Sequence, residues 1–202
     1  MSARRGWGTE RGVYHGTCND RRRENPRVAF SRASYTSFVA SMHPRAAQLI
    51  EALDLTPHPE GGFFREIYRS ASRVRPADGR ADRDAATTIY FLLVEGTHSR
   101  WHRVLSDEVW HLYEGGPLEL LTAPPAADQV QRVVLGAVVE SDGPVHVVPA
   151  GWWQAARPLG AYVLVGCTVA PGFVYDDFAF LRDDADALSA ITRVDKTLGG
   201  LA

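Results

Sequence analysis

Residues 96–115 read Gly96-Thr97-His98-Ser99-Arg100-Trp101-His102-Arg103-Val104-Leu105-Ser106-Asp107-Glu108-Val109-Trp110-His111-Leu112-Tyr113-Glu114-Gly115. Apolar residues on either side of Ser106-Asp107, with a glycine at each end, read as two strands joined by a tight polar turn. The stretch sets His102, Glu108 and His111 close together in the chain. In a regular strand Glu108, Trp110 and Leu112 share one face, and His111 points to the other. A second stretch, Gly143 to Pro158, answers the first with Pro149-Ala150-Gly151 and then Gln154. The two are expected to face each other inside one small barrel and to enclose a ligand pocket.

Working outward, the chain from Thr87 onward reads as short strands separated by turn signals: 87–94, 99–105, 108–113, 118–123, 131–135, 145–148, 154–157 and 162–169. Pro171-Gly172 breaks the pattern before a further strand over 173–180. Many short strands with almost no helical period between them indicate an all-β sandwich or jelly-roll barrel. Residues 44–55 form an amphipathic helix with Ala46, Leu49, Ile50 and Leu53 on one stripe, and Pro44 sits where a first turn tolerates it. Thr56-Pro57-His58-Pro59 ends that helix, Glu60-Gly61-Gly62 is a turn, and 63–69 is a strand. Its two faces carry Phe63, Arg65, Ile67, Arg69 and Phe64, Glu66, Tyr68. Residues 72–84 are a charged surface loop, and 183–191 form a C-terminal helix.

Bulk composition narrows the function. The chain has 202 residues, 45% of them hydrophobic, enough for one domain with a sizeable core. Residues 1–41 hold eight Arg against three acids, and with a net charge of −2 overall this leaves −7 for the remainder. An acidic body argues against nucleic acid as a partner, because a nucleic-acid footprint is basic. No apolar run approaches the roughly 20 residues of a membrane helix. Of the two cysteines, Cys18 lies in the Arg-rich leader and Cys167 in an apolar strand, so a reduced, cytoplasmic setting fits better than a disulfide. Residues 1–41 show neither helical nor strand period. Lys196 is the sole lysine, a bias expected of GC-rich coding DNA, where reading frames extend easily upstream of the true start. The native chain is therefore expected to begin near Met42, with residues 1–41 a disordered leader or a mis-assigned start and 42–202 a single domain.

Taken together, these residues resemble a known family. Gly96, His102, Val104, Glu108 and Gly115 are spaced as in the first cupin motif, except that Val104 stands where a histidine is usual. Gly143, Pro149-Ala150-Gly151 and Gln154 are spaced as in the second, with Gln154 in place of a histidine. The phrases His58-Pro59-Glu60-Gly61-Gly62, Ser106-Asp107-Glu108-Val109-Trp110-His111, Val148-Pro149-Ala150-Gly151-Trp152-Trp153-Gln154 and Pro171-Gly172-Phe173 are similar to a branch of cupins often labelled predicted sugar epimerases. The resemblance covers about residues 45–181. It implies a double-stranded β-helix (jelly-roll) barrel with a short helix at each end.

The chemistry follows from the ligands that remain. Typical metal cupins hold a divalent ion with three histidines and a carboxylate. Here His102, Glu108 and a weak amide from Gln154 would leave such an ion loosely held, so no cofactor is assigned firmly. Without a metal, His102 and Glu108 form an acid–base pair, the need of epimerisation or isomerisation next to a sugar carbonyl. Arg65 and Arg100 are candidates for anionic substituents, Tyr68, Tyr90 and Tyr162 for phenol donors, and Trp110, His111, Trp152 and Gln154 for further ligand contacts. Trp101 and Trp153 are stacking candidates as well. Three readings stand: a sugar or sugar-nucleotide epimerase or isomerase, a non-catalytic binder of an aromatic or nucleotide-like ligand, and a metal-dependent cupin enzyme. His58 is expected to be a turn residue and His146, off an inward register of Val145 and Val147, a surface one. Cys167 is expected to be a buried small hydrophobe. The strand at Phe63, Phe64, Ile67 and Tyr68 is an edge that suits a homodimer.

Overall fold

The computed structural model describes residues 42–202; the leader over 1–41 lies outside the described residues. In chain order the elements are helix α1 (Pro44–Ala52), β1 (Thr56–Pro57), β2 (Phe63–Arg69), β3 (Arg73–Val74), β4 (Arg83–Asp84), β5 (Thr87–Val94), β6 (Ser99–Val104) and β7 (Asp107–Gly115). Then follow β8 (Leu118–Ala123), β9 (Gln131–Leu135), β10 (Val145–Val148), β11 (Trp153–Pro158), β12 (Tyr162–Ala170), β13 (Phe178–Phe180) and helix α2 (Ala185–Val194). A six-stranded sheet, β1-β2-β5-β12-β7-β10, faces a five-stranded one, β13-β6-β11-β8-β9, and all the pairs are antiparallel. The chain passes between the sheets at almost every turn, which gives an all-β jelly roll with a short helix at each end. No helix among the described residues is long and apolar enough to cross a membrane.

Period-two alternation sorts the strands into three apolar clusters. Phe91, Leu93, Trp110, Leu120, Val148, Ala156, Val165 and Cys167 meet between the sheets. Leu92, Val94 and Leu164, one residue out of step, face outward and pack under Ala46, Leu49 and Ile50 of α1. Likewise Trp101, Leu121, Trp153 and Ala155 face away from the lumen and pack under Ala187, Ala190 and Ile191 of α2. The helices thus cover the outsides of the two sheets, and the inward faces are left to the lumen.

Four local readings change. The strand expected over 173–180 is confined to β13, because Tyr175–Asp177 forms a 3₁₀ turn whose Asp177 is gripped by Arg80 and Arg83. Those two arginines come from the 72–84 segment, which carries the small β3–β4 pair rather than being wholly a surface loop. The register of β2 shifts between Glu66 and Tyr68, so the alternation expected along it is broken there. In β10 the inward set is His146 and Val148, opposite Trp110 and Glu108, whereas Val145 and Val147 are about half exposed. Val148 is core, and that fixes the register in the opposite sense to the one read from the valines alone.

Candidate functional site

A buried polar cluster lies between the sheets, built from four strands and one turn. His102 and Gln154 are cross-strand partners on β6 and β11, so their side chains leave the sheet on the same face. Glu108 and Trp110 come from β7 in the opposite sheet, and Cys167 of β12 pairs with Trp110. The turn between β1 and β2 brings in His58 and Glu60. That turn is tight: Gly61 has φ of 114°, and a Cβ there would stand 2.2 Å from the His98 carbonyl oxygen. Only glycine accepts both constraints. His58, Glu60, His102, Glu108 and Gln154 are all at least nine-tenths buried.

The hydrogen bonds fix the protons in sequence. Indole N–H can only donate, so the Gln154 atom 3.0 Å from Trp110 Nε1 is the amide oxygen. The Gln154 nitrogen then faces Glu108 Oε2 at 2.6 Å and His102 Nε2 at 3.1 Å, donating to both. His102 must therefore present a lone pair at Nε2. Its proton sits on Nδ1, donated to the Arg100 carbonyl at 2.7 Å. Glu60 closes the group: its Oε1 lies 3.5 Å from His102 Nε2, while its Oε2 accepts from Ser99 Oγ at 3.0 Å and lies 3.7 Å from His58 Nδ1. Ser99 and His102 reach the same side because the β6–β11 register shifts between Gln154 and Ala156.

Burial moves the two kinds of group toward each other. It raises the Glu60 and Glu108 carboxyls above the usual carboxylate range, against the opposing pull of His58 on the first and His102 on the second. It lowers the His58 and His102 imidazoles, against Glu60 and Glu108 respectively. Burial thus favours the neutral form of the carboxyls and of the imidazoles alike. Burial also pushes the Cys167 thiol well up, so it stays a thiol, and it packs in the inter-sheet core as the small hydrophobe expected from its neighbours.

Aromatic residues of the 171–180 segment cover this centre. The Phe178 ring stacks on His102 with centroids 5.4 Å apart and an 18° tilt, and Phe173 packs edge-on against Phe178 and Tyr175. Burial raises the Tyr175 phenol, and the Glu60 and Glu66 charges add to the shift.

The candidates named from sequence divide. His102, Glu108, Trp110 and Gln154 converge as expected. Arg65 is exposed and pairs with Tyr90, which packs beneath α1, so it lies on the outer face. Tyr68 is 54% exposed beyond the β2 bulge, and Tyr162 is on the outer face, bonded to Glu114. His111 also points outward, stacked near Tyr113, because β7 runs without a register shift from Glu108 to Leu112 and alternation holds. Arg100 donates to the Pro59 carbonyl at 2.9 Å and so braces the His58–Glu60 turn. Trp152 is partly buried against the inter-sheet core, whereas Trp101 and Trp153 lie under α2.

The ligand set considered for a metal, His102, Glu108 and Gln154, does not fit one. Trp110 turns the Gln154 N–H groups, not its oxygen, toward the other two. Among the described residues no group of three or more His, Cys, Asp or Glu side chains is arranged to hold an ion. Sequence reasoning missed His58 and Glu60, taken as turn residues. The signal was there: a histidine and an acid two apart, set between prolines and a Gly-Gly pair that lock the turn.

Fold and site together define a jelly-roll protein with a buried carboxyl–imidazole centre. The chain belongs to the Cupin superfamily (DUF985), whose family model matches residues 47–181. It is similar to the structure of protein SO0799 from Shewanella oneidensis, with 31% identity and a TM-score of 0.68 over 77% of this chain and 95% of that one. It is also 27% identical to the uncharacterized protein YML079W of Saccharomyces cerevisiae, over 80% of this chain and 88% of that protein. Cellulomonas parahominis L-ribose isomerase, solved with L-psicose, shares the fold at 15% identity, with a TM-score of 0.53 over 82% of this chain and 97% of that one.

The direction of the Glu60 shift makes a testable sign. A carboxyl whose folded pKa is raised from its ordinary 4.5 contributes stability at low pH and loses it as pH rises through the folded value. Glu60→Gln removes that dependence. Its melting temperature minus that of wild type is therefore expected to climb as pH rises above about 4.5, read by differential scanning fluorimetry across pH. A difference that falls instead would mean that Glu60 is held as a favoured carboxylate.

Proposed function

We propose that this protein isomerises or epimerises a small sugar or sugar nucleotide at the carbon beside its carbonyl, with His102 and Glu108 as the acid–base pair. The observation that carries the reading is the Gln154 amide, whose N–H groups reach Glu108 Oε2 at 2.6 Å and His102 Nε2 at 3.1 Å. It leaves a neutral imidazole beside a buried carboxyl. In isomerisation, His102 Nε2 takes the proton from the carbon next to the carbonyl. The Glu108 carboxyl gives its proton to the carbonyl oxygen, forming an enediol. Glu108 then takes the proton of the neighbouring hydroxyl, and the imidazolium returns its proton to the former carbonyl carbon, so nothing is gained or lost. Glu60, 3.5 Å from Nε2, faces the positive charge that His102 carries in between. L-ribose isomerase shows that the jelly roll accommodates a sugar isomerase; at its low identity it speaks to the fold alone.

A binder without turnover is the second reading, favoured by the Phe178 ring stacked on His102 and backed edge-on by Phe173. One experiment separates the two. Aldoses, ketoses and nucleotide sugars incubated with the protein in deuterated water are expected to gain deuterium beside the carbonyl, followed by proton NMR. The exchange rate is expected to drop on the order of 100-fold or more in His102→Ala and Glu108→Gln. Thermal stabilisation by a ligand without exchange favours the binder, and neither response across the panel would sink the sugar reading.

The free edge of β2 supports a second copy of this chain as partner. β1 covers only Phe63 and Phe64, and beyond them Ile67 and Tyr68 are 39% and 54% exposed on a strand whose outer edge has no neighbour among the described residues. Antiparallel pairing of two such edges is self-complementary. Sedimentation equilibrium is expected to give a dimer that Ile67→Lys weakens; a monomer at every concentration would contradict it.

A further inference from the structure

The reactive groups of the site are shut away from water: His102 and Gln154 are 1% exposed, Glu108 7% and Glu60 8%. A small molecule therefore reaches them only when part of the protein moves aside, whichever ligand the site takes. The group lying on the His102 ring is Phe178. It opens β13, a three-residue strand at the end of the five-stranded sheet, next to β6. Ahead of it residues 171–174 are neither helix nor strand, and Tyr175–Asp177 is a single 3₁₀ turn. Irregular backbone at the rim of a sheet belongs to the part of a fold that opens at least cost.

Residues 171–178 are held down from the 69–87 stretch. The Gly172 N–H donates to the Asp84 carbonyl at 2.8 Å, and a Cβ on Gly172 would stand 2.8 Å from that oxygen, so the two backbones lie in direct contact. The Phe173 N–H donates to Thr87 Oγ1 at 3.0 Å, and Arg69 Nη1 donates to the Phe173 carbonyl at 3.4 Å. The strongest hold is at Asp177, which is buried. Its Oδ2 accepts from Arg80 Nη1 at 2.6 Å and lies against Arg83 Nη1 as well. Hydrogen bonds between ionised partners are roughly twice as strong as neutral ones. On the β6 side the Leu105 N–H donates to the Asp177 carbonyl at 3.2 Å. Asp177 is the chain neighbour of Phe178, so release of its carboxylate frees the ring that lies on His102.

We infer that residues 171–178 form a strap that shuts the site, latched by the Asp177 carboxylate on Arg80 and Arg83, and that small molecules enter past Phe178 when the latch lets go. The β3–β4 excursion thereby gains a task, since it carries both arginines to the strap. The inference concerns access and not chemistry, so it holds for an isomerase and for a binder alike.

The test compares two rates in wild type, Asp177→Asn and Arg80→Gln. Hydrogen exchange of the Leu105 amide, followed by NMR, reports release of Asp177. Modification of His102 by diethyl pyrocarbonate, followed by mass spectrometry, reports access to the site. Both rates are expected to rise by the same factor, about ten- to hundredfold in Asp177→Asn. The rise is expected to be smaller in Arg80→Gln, where Arg83 still lies against Asp177. The amides of β5 and β12 are expected to exchange as in wild type. Arg75→Gln, which loses a pair with Asp82 instead, is expected to change neither rate. A faster Leu105 amide with an unchanged His102 rate would put the entrance elsewhere and overturn the inference, as would no change in either. If Asp177→Asn loosens β5 and β12 too, Arg80→Gln decides by the same comparison. Loosening of β5 and β12 in both variants would make the ion group a prop of the whole fold and would overturn the latch. No sugar enters the experiment, so its failure leaves the isomerase reading untouched.

Discussion

The hydrogen bond from the Trp110 indole to the Gln154 amide oxygen is the constraint on which the site depends. An indole N–H has no second role, so this one contact decides which end of the amide faces inward. With the nitrogen inward, His102 must accept and Glu108 must accept, and the imidazole is neutral with its proton turned to the Arg100 carbonyl. A histidine at position 154 would bring a lone pair that could serve an ion. The glutamine brings two donors instead, and converts what is a coordination position in other cupins into a clamp on an acid and a base.

The jelly roll makes that clamp rigid. Each of its three contacts spans different strands: Trp110 and Glu108 belong to one sheet, Gln154 and His102 to the other, and their register is held by packing outside the site. Trp153 and Trp101, the outward neighbours of Gln154 and His102, are fully buried under α2, and Ile191 packs with them. Sliding β6 or β11 by one residue would pull its tryptophan out from under α2 and turn it into the polar lumen. Stability of the outer layer therefore fixes the geometry of the inner one. The Gly61 turn adds the second acid, Glu60, at a place where a side chain on residue 61 would collide with backbone.

Much of this was legible in the sequence. The spans of β2, β5, β8, β9 and β10 follow directly from alternation and turn residues, and His102, Glu108 and Gln154 stand out through the resemblance of their glycine and proline framework to the two cupin motifs. What alternation does not carry is its own phase. Val145 and Val147 look like the inward pair of β10, yet Val148 is core and His146 shares its face, because β10 meets Trp110 and Glu108 one residue out of that register. Arg65 and Tyr68 were chosen for their chemistry, and the bulge beside Ile67 together with the outward face of Tyr90 removes both from the lumen. His58 and Glu60 were hidden for another reason: a turn was recognised, but where it packs is a tertiary fact.

The most direct test of this account is the proton map of His102 itself, read by nitrogen-15 NMR of the two ring nitrogens as pH is lowered from about 8 to about 5.5, across the ordinary range of histidine. The account predicts a protonated Nδ1 and a bare Nε2 at about pH 8, with imidazolium appearing only at lower pH than for an ordinary histidine, because burial and the Gln154 N–H both disfavour a proton at Nε2. A proton found on Nε2 near neutral pH would mean that the amide is turned the other way, and the acid–base assignment would fall with it.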